Sequence, residues 1–383
     1  MRSSSVRALA VPVLLTGLNL RPLFGSLPPL LADVRAELGL SAAAAGLLTT
    51  GPLLCLGILA PLGPRIARRY PVERIIALAL LCTAIGTALR GLGGIAPLYL
   101  GTLMAGAAIA LTQVVTPAWV RAKTDQGAGL LTGLFSTALV AGATIATFTA
   151  IPFEEALGGW EPSLAIWALP ALIGFAVWVP YALRAREPVA ATVGHPLWRN
   201  RTAWSIALLM GLQSMAFFST ISWLPEILVD DGMSEGYAGF LSGVTQLVQM
   251  IPAFAMPVLA ARRETQLDLL LVIVGTALVG LLGVMLLPDL SLLWMVPLGI
   301  GQGGALGLAL MLPVLRGRDP GEVAGMTAMA MGVGYLIAAG GPALVGAVHD
   351  ISDEWNWPLG VLLVMTIVQL PAALHAVMKG KPT

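Results

Sequence analysis

"ALAVPVLLTGLNLRPLFGSLPPLLA", residues 8–32, is one long apolar segment carrying a single charge, Arg21. A helix rises about 1.5 Å per residue, so about 20 residues cross a bilayer core of ~30 Å and Arg21 falls near its middle. A guanidinium at that depth costs about 2.5–3.5 kcal/mol on insertion scales, so it needs a wet cavity or a partner. Pro22 follows it directly, and Pro28 and Pro29 come soon after. Proline removes a backbone donor and frees a carbonyl one turn earlier. Within a membrane such breaks are tolerated where they line a cavity.

The surrounding chain has the same character. Of its 383 residues, 57% are hydrophobic and 11% charged. Soluble domains carry about 25% charged residues, so this is a polytopic membrane protein. The first segment runs on past Arg21 and many equally apolar segments follow, so it reads as a retained helix, not a leader. Apolar runs between charged punctuation predict twelve spans: 8–34, 41–64, 72–91, 95–120, 126–150, 162–183, 203–228, 236–260, 267–287, 290–315, 322–347 and 357–377. The fold class expected is an all-α integral membrane protein with twelve transmembrane helices in two six-helix bundles. The longest polar break, "RAREPVAATVGHPLWRNR" (184–201), divides the chain into 1–184, a linker 185–201 on the cytoplasmic side, and 202–383.

Charge placement tests the count. With the N-terminus inside, Lys and Arg should gather in alternate loops. Arg2, Arg7, Arg65, Arg68, Arg69, Arg74, Arg121, Lys123, Arg184, Arg186, Arg199, Arg201, Arg262, Arg263, Arg316, Arg318, Lys379 and Lys381 do so, and only Arg35 and Arg90 fall outside. The outer loops "FEEALGGWE", "VDDGMSE" and "HDISDEW" contain no Lys or Arg. A missed helix would scramble this pattern. Both termini are therefore expected in the cytoplasm, with the chain in the inner membrane of a bacterium. The halves also echo each other: "TGLNL" (16–20) with "MGLQS" (210–214), "GLSAAAAGLL" (39–48) with "GMSEGYAGFL" (232–241), and Gly106 and Arg121 with Gly301 and Arg316. In register, these suggest two repeats with a central site where they meet.

Several stretches then resemble the major facilitator superfamily, in its cyanate permease and 2-nitroimidazole transporter branch. They are "NLRP" (19–22), "AGLLTTGPLLCLGILAPLGPRIARRYPVERI" (45–75), "GLQSMAFFSTISWLP" (211–225), "GQGGALGLAL" (301–310) and "TAMAMGVGYLIAAGGP" (327–342) followed by "HD" (349–350). The resemblance covers nearly the whole chain and implies cyanate-like or nitroimidazole-like ligands. One departure is visible: Ala67 in "GPRIARR" stands where superfamily members carry an acid in the loop after the second helix. Arg65, Arg68, Arg69 and Arg74 then read as topology anchors, not as an acid-based gate.

No Asp or Glu lies at the depth of Arg21 in any span, which weakens the reading of Arg21 as half of an ion pair. An Arg can grip a small planar anion or an acceptor oxygen with its forked N–H groups. Asn19, Gln113, Gln213 and Gln302 are amides within spans that could orient such a ligand, although amides also bridge helices as structural glue. Asn19 and Gln213 occupy matching positions in the two halves. Gly299, Gly303 and Gly307 form a small face for helix packing, and Gln302 points away from it. Phe217 and Tyr335 could stack on a ligand, and a buried Tyr hydroxyl needs a partner. Glu226, Asp33 and His349, near the outer mouth, are candidates for proton coupling.

Enzymatic signals are absent. There is no HExxH, GxSxG, GxxxxGK[ST] or CxxC, and His195, His349 and His375 lack metal-ligand spacing. No catalytic residue, metal or cofactor is expected. The net charge of +1 and the lack of a basic tail exclude nucleic acid as a partner. Cys55 and Cys82 both lie in apolar segments, so no disulfide framework is expected. The expected partners are a small-molecule substrate, the lipid bilayer and, as coupling ion, the proton, with the chain a monomer. The function expected is secondary active transport of a small anion or small polar heteroaromatic by alternating access. Its alternatives are a multidrug or metabolite exporter of the same superfamily, an anion-selective channel-like facilitator, and a membrane enzyme on lipid-linked substrates.

Overall fold

The computed structural model describes every residue except 1–2, 41, 125–126, 189–196 and 379–383. Arg2, His195, Lys379, Lys381 and the middle of the expected linker lie outside the described residues. Twelve main helices carry the chain: α1 Ser3–Asn19, α2 Ala42–Leu59, α3 Val72–Leu89, α4 Ile95–Lys123, α5 Ala128–Leu157, α6 Ala168–Arg184, α7 Arg201–Asp230, α8 Glu235–Ala261, α9 Leu267–Leu286, α10 Ser291–Arg316, α11 Pro320–Ala339 and α12 Asn356–Met378. Eleven stretches among the described residues are long and apolar enough to cross a membrane. The remaining expected span is α2, 18 residues long, continued after Pro61 by a short helix Leu62–Ala67.

The contacts among these helices repeat. In the first half α3 packs on α4 and α6, α1 on α5 and α6, and α2 on α4. In the second half α9 packs on α10 and α12, α7 on α11 and α12, and α8 on α10. Adding six to each number in the first set gives the second, so the two bundles share one internal plan. Between them run two seams, α5 against α8 and α2 against α11, related by the same rule. Glycines allow the close approach. A Cβ on Gly133 would lie 2.7 Å from the Phe254 carbonyl oxygen, and one on Gly332 would lie 3.2 Å from the Gly57 carbonyl oxygen. Gly299, Gly303 and Gly307 of α10 lie against α8, as the small-face reading requires.

Helix ends sort the charges onto one face. Arg74 at the start of α3 donates to the Ala182 and Ala185 carbonyls at the end of α6, at 3.2 and 3.0 Å. Arg316 at the end of α10 donates to the Ala376 carbonyl of α12 at 2.7 Å and to the Gln266 amide before α9. On the opposite face Trp160 donates to Glu37 at 2.8 Å, and Trp223 to the Pro342 carbonyl at 2.8 Å.

Several expected spans are broken into two helices, 162–183 after Ala165 and 322–347 after Ala339 among them, and the first is broken most. α1 stops at Asn19, and the chain restarts as Pro22–Gly25, a 3₁₀ turn Pro28–Leu30 and a helix Leu31–Leu38. Pro22 has no N–H to give Leu18, and the ladder stops at Asn19. Arg21 becomes the N-cap of the short helix, and the Phe24 and Gly25 amides donate back to its carbonyl at 3.0 and 3.2 Å. The break is braced by α5. The Leu18 carbonyl lies directly on Gly142, and Thr147 donates to the Gly25 carbonyl at 3.1 Å.

A side chain at Gly142 would collide with that carbonyl, whereas Gly360 has open space around it. Gly142→Leu should therefore lower stability by about 1–3 kcal/mol through overpacking, and Gly360→Leu should not. Thermal unfolding of the two purified variants in detergent checks this.

Candidate functional site

Arg21 leaves the broken first span on the side facing α4 and α11. Its Nη2 donates to the Tyr335 hydroxyl at 3.0 Å, and the Gln113 amide nitrogen donates to the same oxygen at 3.2 Å. The three residues come from α4, α11 and the α1 break, and 314 residues separate Arg21 from Tyr335. All are buried, with Arg21 7% and Tyr335 1% exposed. Among the described residues no carboxylate pairs with Arg21. Its guanidinium carbon sits 5.6 Å from the Phe24 ring centroid, within cation–π range. The carbonyl oxygen of Gln113 is buried without a partner.

This is a donor-rich centre. Arg offers five N–H groups, and one is engaged with Tyr335. Tyr335 oxygen already accepts twice, so its own proton is directed elsewhere. The centre can hold an acceptor atom in the plane of the guanidinium, with a phenol beside it. Phe218 flanks the phenol, its ring centroid 6.5 Å from that of Tyr335, and Phe217 packs edge-on against Phe218 at 5.2 Å. Phe218 and Phe24 thus lie beside this centre. Phe24 is three residues past Arg21, which on a helix is the same face. No comparable signal singles out Phe218 over Phe217.

The other amides are placed elsewhere. Asn19 donates to the Leu15 carbonyl at 2.8 Å and across to the Pro170 carbonyl at the head of α6 at 3.1 Å, so it fastens helices within the first bundle. Gln213 and Gln302 share a second cleft, inside the second bundle, with Thr366 and Gln369. That cleft has room for roughly one water. Gln302 also accepts from Gln249 at 3.1 Å. Repeat symmetry relates Asn19 to Gln213 in sequence, and the structure puts neither beside Arg21.

Of the coupling candidates, Asp33 and Glu226 are exposed. His349 stacks on Trp355 with centroids 3.9 Å apart, and Trp355 in turn meets Trp223. An acid that sequence reading passed over is Glu73. It pairs with Lys123 at 2.8 Å and accepts from the Trp119 indole at 2.9 Å, on the arginine-rich face where Ala67 leaves the loop without an acid. Trp119 packs on Trp178, and Trp178 donates to Thr16 of α1 at 2.8 Å.

The model of the Major Facilitator Superfamily matches residues 13–339. An uncharacterised transporter of Bacillus subtilis (strain 168) is 34% identical, covering 94% of this chain and 91% of that protein. The 2-nitroimidazole transporter and the cyanate transport protein of Escherichia coli (strain K12) are each 31% identical, covering 93% of this chain and 92% and 94% of theirs. Among solved structures, the proton:xylose symporter XylE bound to 6-bromo-6-deoxy-D-glucose superposes with a TM-score of 0.76 at 15% identity, covering 100% of this chain and 98% of that one. At that identity the likeness concerns the fold alone.

The bonds of Asn19 give an expected outcome. Asn19→Ala should lower stability by about 1 kcal/mol, the worth of a typical hydrogen bond, and leave ligand affinity unchanged. Thermal unfolding with and without ligand separates the two effects.

Proposed function

The chain belongs to the Major Facilitator Superfamily, and we propose that it transports a small anion or a small polar heteroaromatic compound, with Arg21 binding the negative or acceptor atom. The observation that carries this is the 3.0 Å bond from Arg21 to Tyr335: a mid-span cation held by a hydroxyl, with no acid paired to it among the described residues. Buried charges are ordinarily paired. A neutral hydroxyl leaves the charge uncompensated, and an anion or a strongly polar acceptor compensates it. The names of the two E. coli relatives specify cyanate and 2-nitroimidazole. Both ligands are compact and rich in acceptor atoms, which suits this centre.

The same bond suggests how binding drives alternating access. Arg21 belongs to the first bundle and Tyr335 to the second. A ligand taking the Arg21 N–H groups displaces the phenol, which then turns its own hydroxyl to the ligand. Ligand binding thus exchanges one bridge between the bundles for another, and the bundles rock about it. Gln113 holds the phenol in place from α4. The arginine-rich face is taken as cytoplasmic on the positive-inside rule, which places both termini there in a bacterial inner membrane. Protons remain the proposed coupling ion, with His349 against Trp355 the best-placed group near the opposite mouth.

Ligand-induced thermal stabilisation tests the reading, because a ligand that binds the folded state raises apparent stability by mass action. The panel is cyanate, nitrate, 2-nitroimidazole and a neutral apolar control. At least one polar member should stabilise the wild type. Arg21→Ala should weaken it by about 10–100-fold, since a hydrogen bond to a charged group is worth about 1.5–3 kcal/mol. Arg21→Lys should restore only part of it, lacking the fork. Full binding by a folded Arg21→Ala protein would overturn the assignment.

A further inference from the structure

Arg90 sits where helix α3 ends, in the 3₁₀ turn Arg90–Leu92 on the acidic face. By loop charge alone it is an unremarkable outer arginine. The structure buries it: 1% of its surface is exposed, and none of its three guanidinium nitrogens has a hydrogen-bond partner among the described residues. Its stem crosses α4, with Cγ 3.0 Å from where a Cβ of Gly101 would stand. The next residue of its own turn, Gly91, lies against the Ala165 side chain and the Glu161 carbonyl of the helix Trp160–Ala165. Thr102, the residue after Gly101, has a buried hydroxyl that also has no partner.

The C-terminus of α3 favours a positive charge, but a helix end carries only about half an elementary charge and cannot balance a desolvated guanidinium. A full negative charge is required. Among the described residues no carboxylate is paired with Arg90. Glu37 accepts from Trp160. Glu161 turns its oxygens towards the loop glycines, 3.7 Å and 3.1 Å from the Cβ positions of Gly93 and Gly159. We propose that Arg90 is the cation of a second, structural anion site, inside the first bundle between α3, α4 and Trp160–Ala165, that takes a small monovalent inorganic anion of the halide class. The burial of the guanidinium limits its size, and the single cation sets its charge. The site is separate from the centre at Arg21 and does not depend on what that centre carries.

The test is the thermal unfolding of purified full-length protein in sodium chloride against sodium gluconate at equal ionic strength. Chloride should raise the unfolding temperature of the wild type saturably. Arg21→Ala should respond equally, and Arg90→Gln should not respond. No chloride effect on the wild type, or an undiminished one in Arg90→Gln, overturns the proposal. A wild type indifferent to chloride but destabilised by Glu161→Gln would assign Arg90 to Glu161 instead. Should Arg90→Gln fail to fold, wild-type crystals soaked in bromide decide the matter. Anomalous density at the Arg90 guanidinium supports the site, and its absence there overturns it.

Discussion

A backbone amide cannot be left unpaired in a bilayer without cost, and Pro22 has none to pair. The rest of the site follows from that. The ladder of the first span ends at Asn19, the chain turns at Leu20 and Arg21, and a new short helix begins at Pro22. An unbroken helix would fix Arg21 on one face of a regular cylinder. The break instead makes it an N-cap at mid-depth, between bundles. The strain falls on α5, which accommodates it with small residues: the Leu18 carbonyl rests on Gly142, and Gly17 lies against Ala138. Charge, proline and the glycine receptor form one device, although they stand on two helices more than a hundred residues apart.

The two bundles are alike in plan and unlike in chemistry. Their internal contacts correspond helix for helix, and their seams obey the same symmetry. Yet the cation comes from the first bundle and the phenol from the second, and the repeat-related amides go to different tasks. Asn19 ties α1 to α6, while Gln213 lines a cleft with Gln302 and Gln369. Repetition supplies a frame of two like bundles that meet along matching seams. The departures from repetition leave Arg21, Gln113 and Tyr335 as a polar group between the bundles.

Buried polar groups divide by how completely they are satisfied. Glu73, Lys123, Trp119, Trp178 and Thr16 form a chain in which each polar group finds another, and this stiffens the arginine-rich end of the first bundle. Arg316 is intermediate: its Nε and Nη2 are engaged by the end of α12 and by Gln266, while its Nη1 has no partner among the described residues. Arg21 and Arg90 are the contrasting cases. Satisfied networks hold a structure in one state, and incompletely satisfied cations are where an outside group gains most by binding.

The sequence by itself determined the membrane class, the helix count, the alternation of basic and acidic ends and the family. These depend on the lengths of apolar runs and on charge sorting, which need no knowledge of how helices face one another. It also singled out Arg21, because a lone charge at mid-span is conspicuous in one dimension. Which residues meet Arg21 was a tertiary decision. Successive side chains turn by about 100°, so a helix's rotation sends Gln113 to the centre and Gln302 to another cleft without changing its hydropathy. Tyr335 reaches Arg21 only because α11 crosses the seam. The burial of Arg90 was equally hidden: a helix-end arginine looks like a loop residue until three glycines, Gly86, Gly91 and Gly101, let the neighbouring helices close over it.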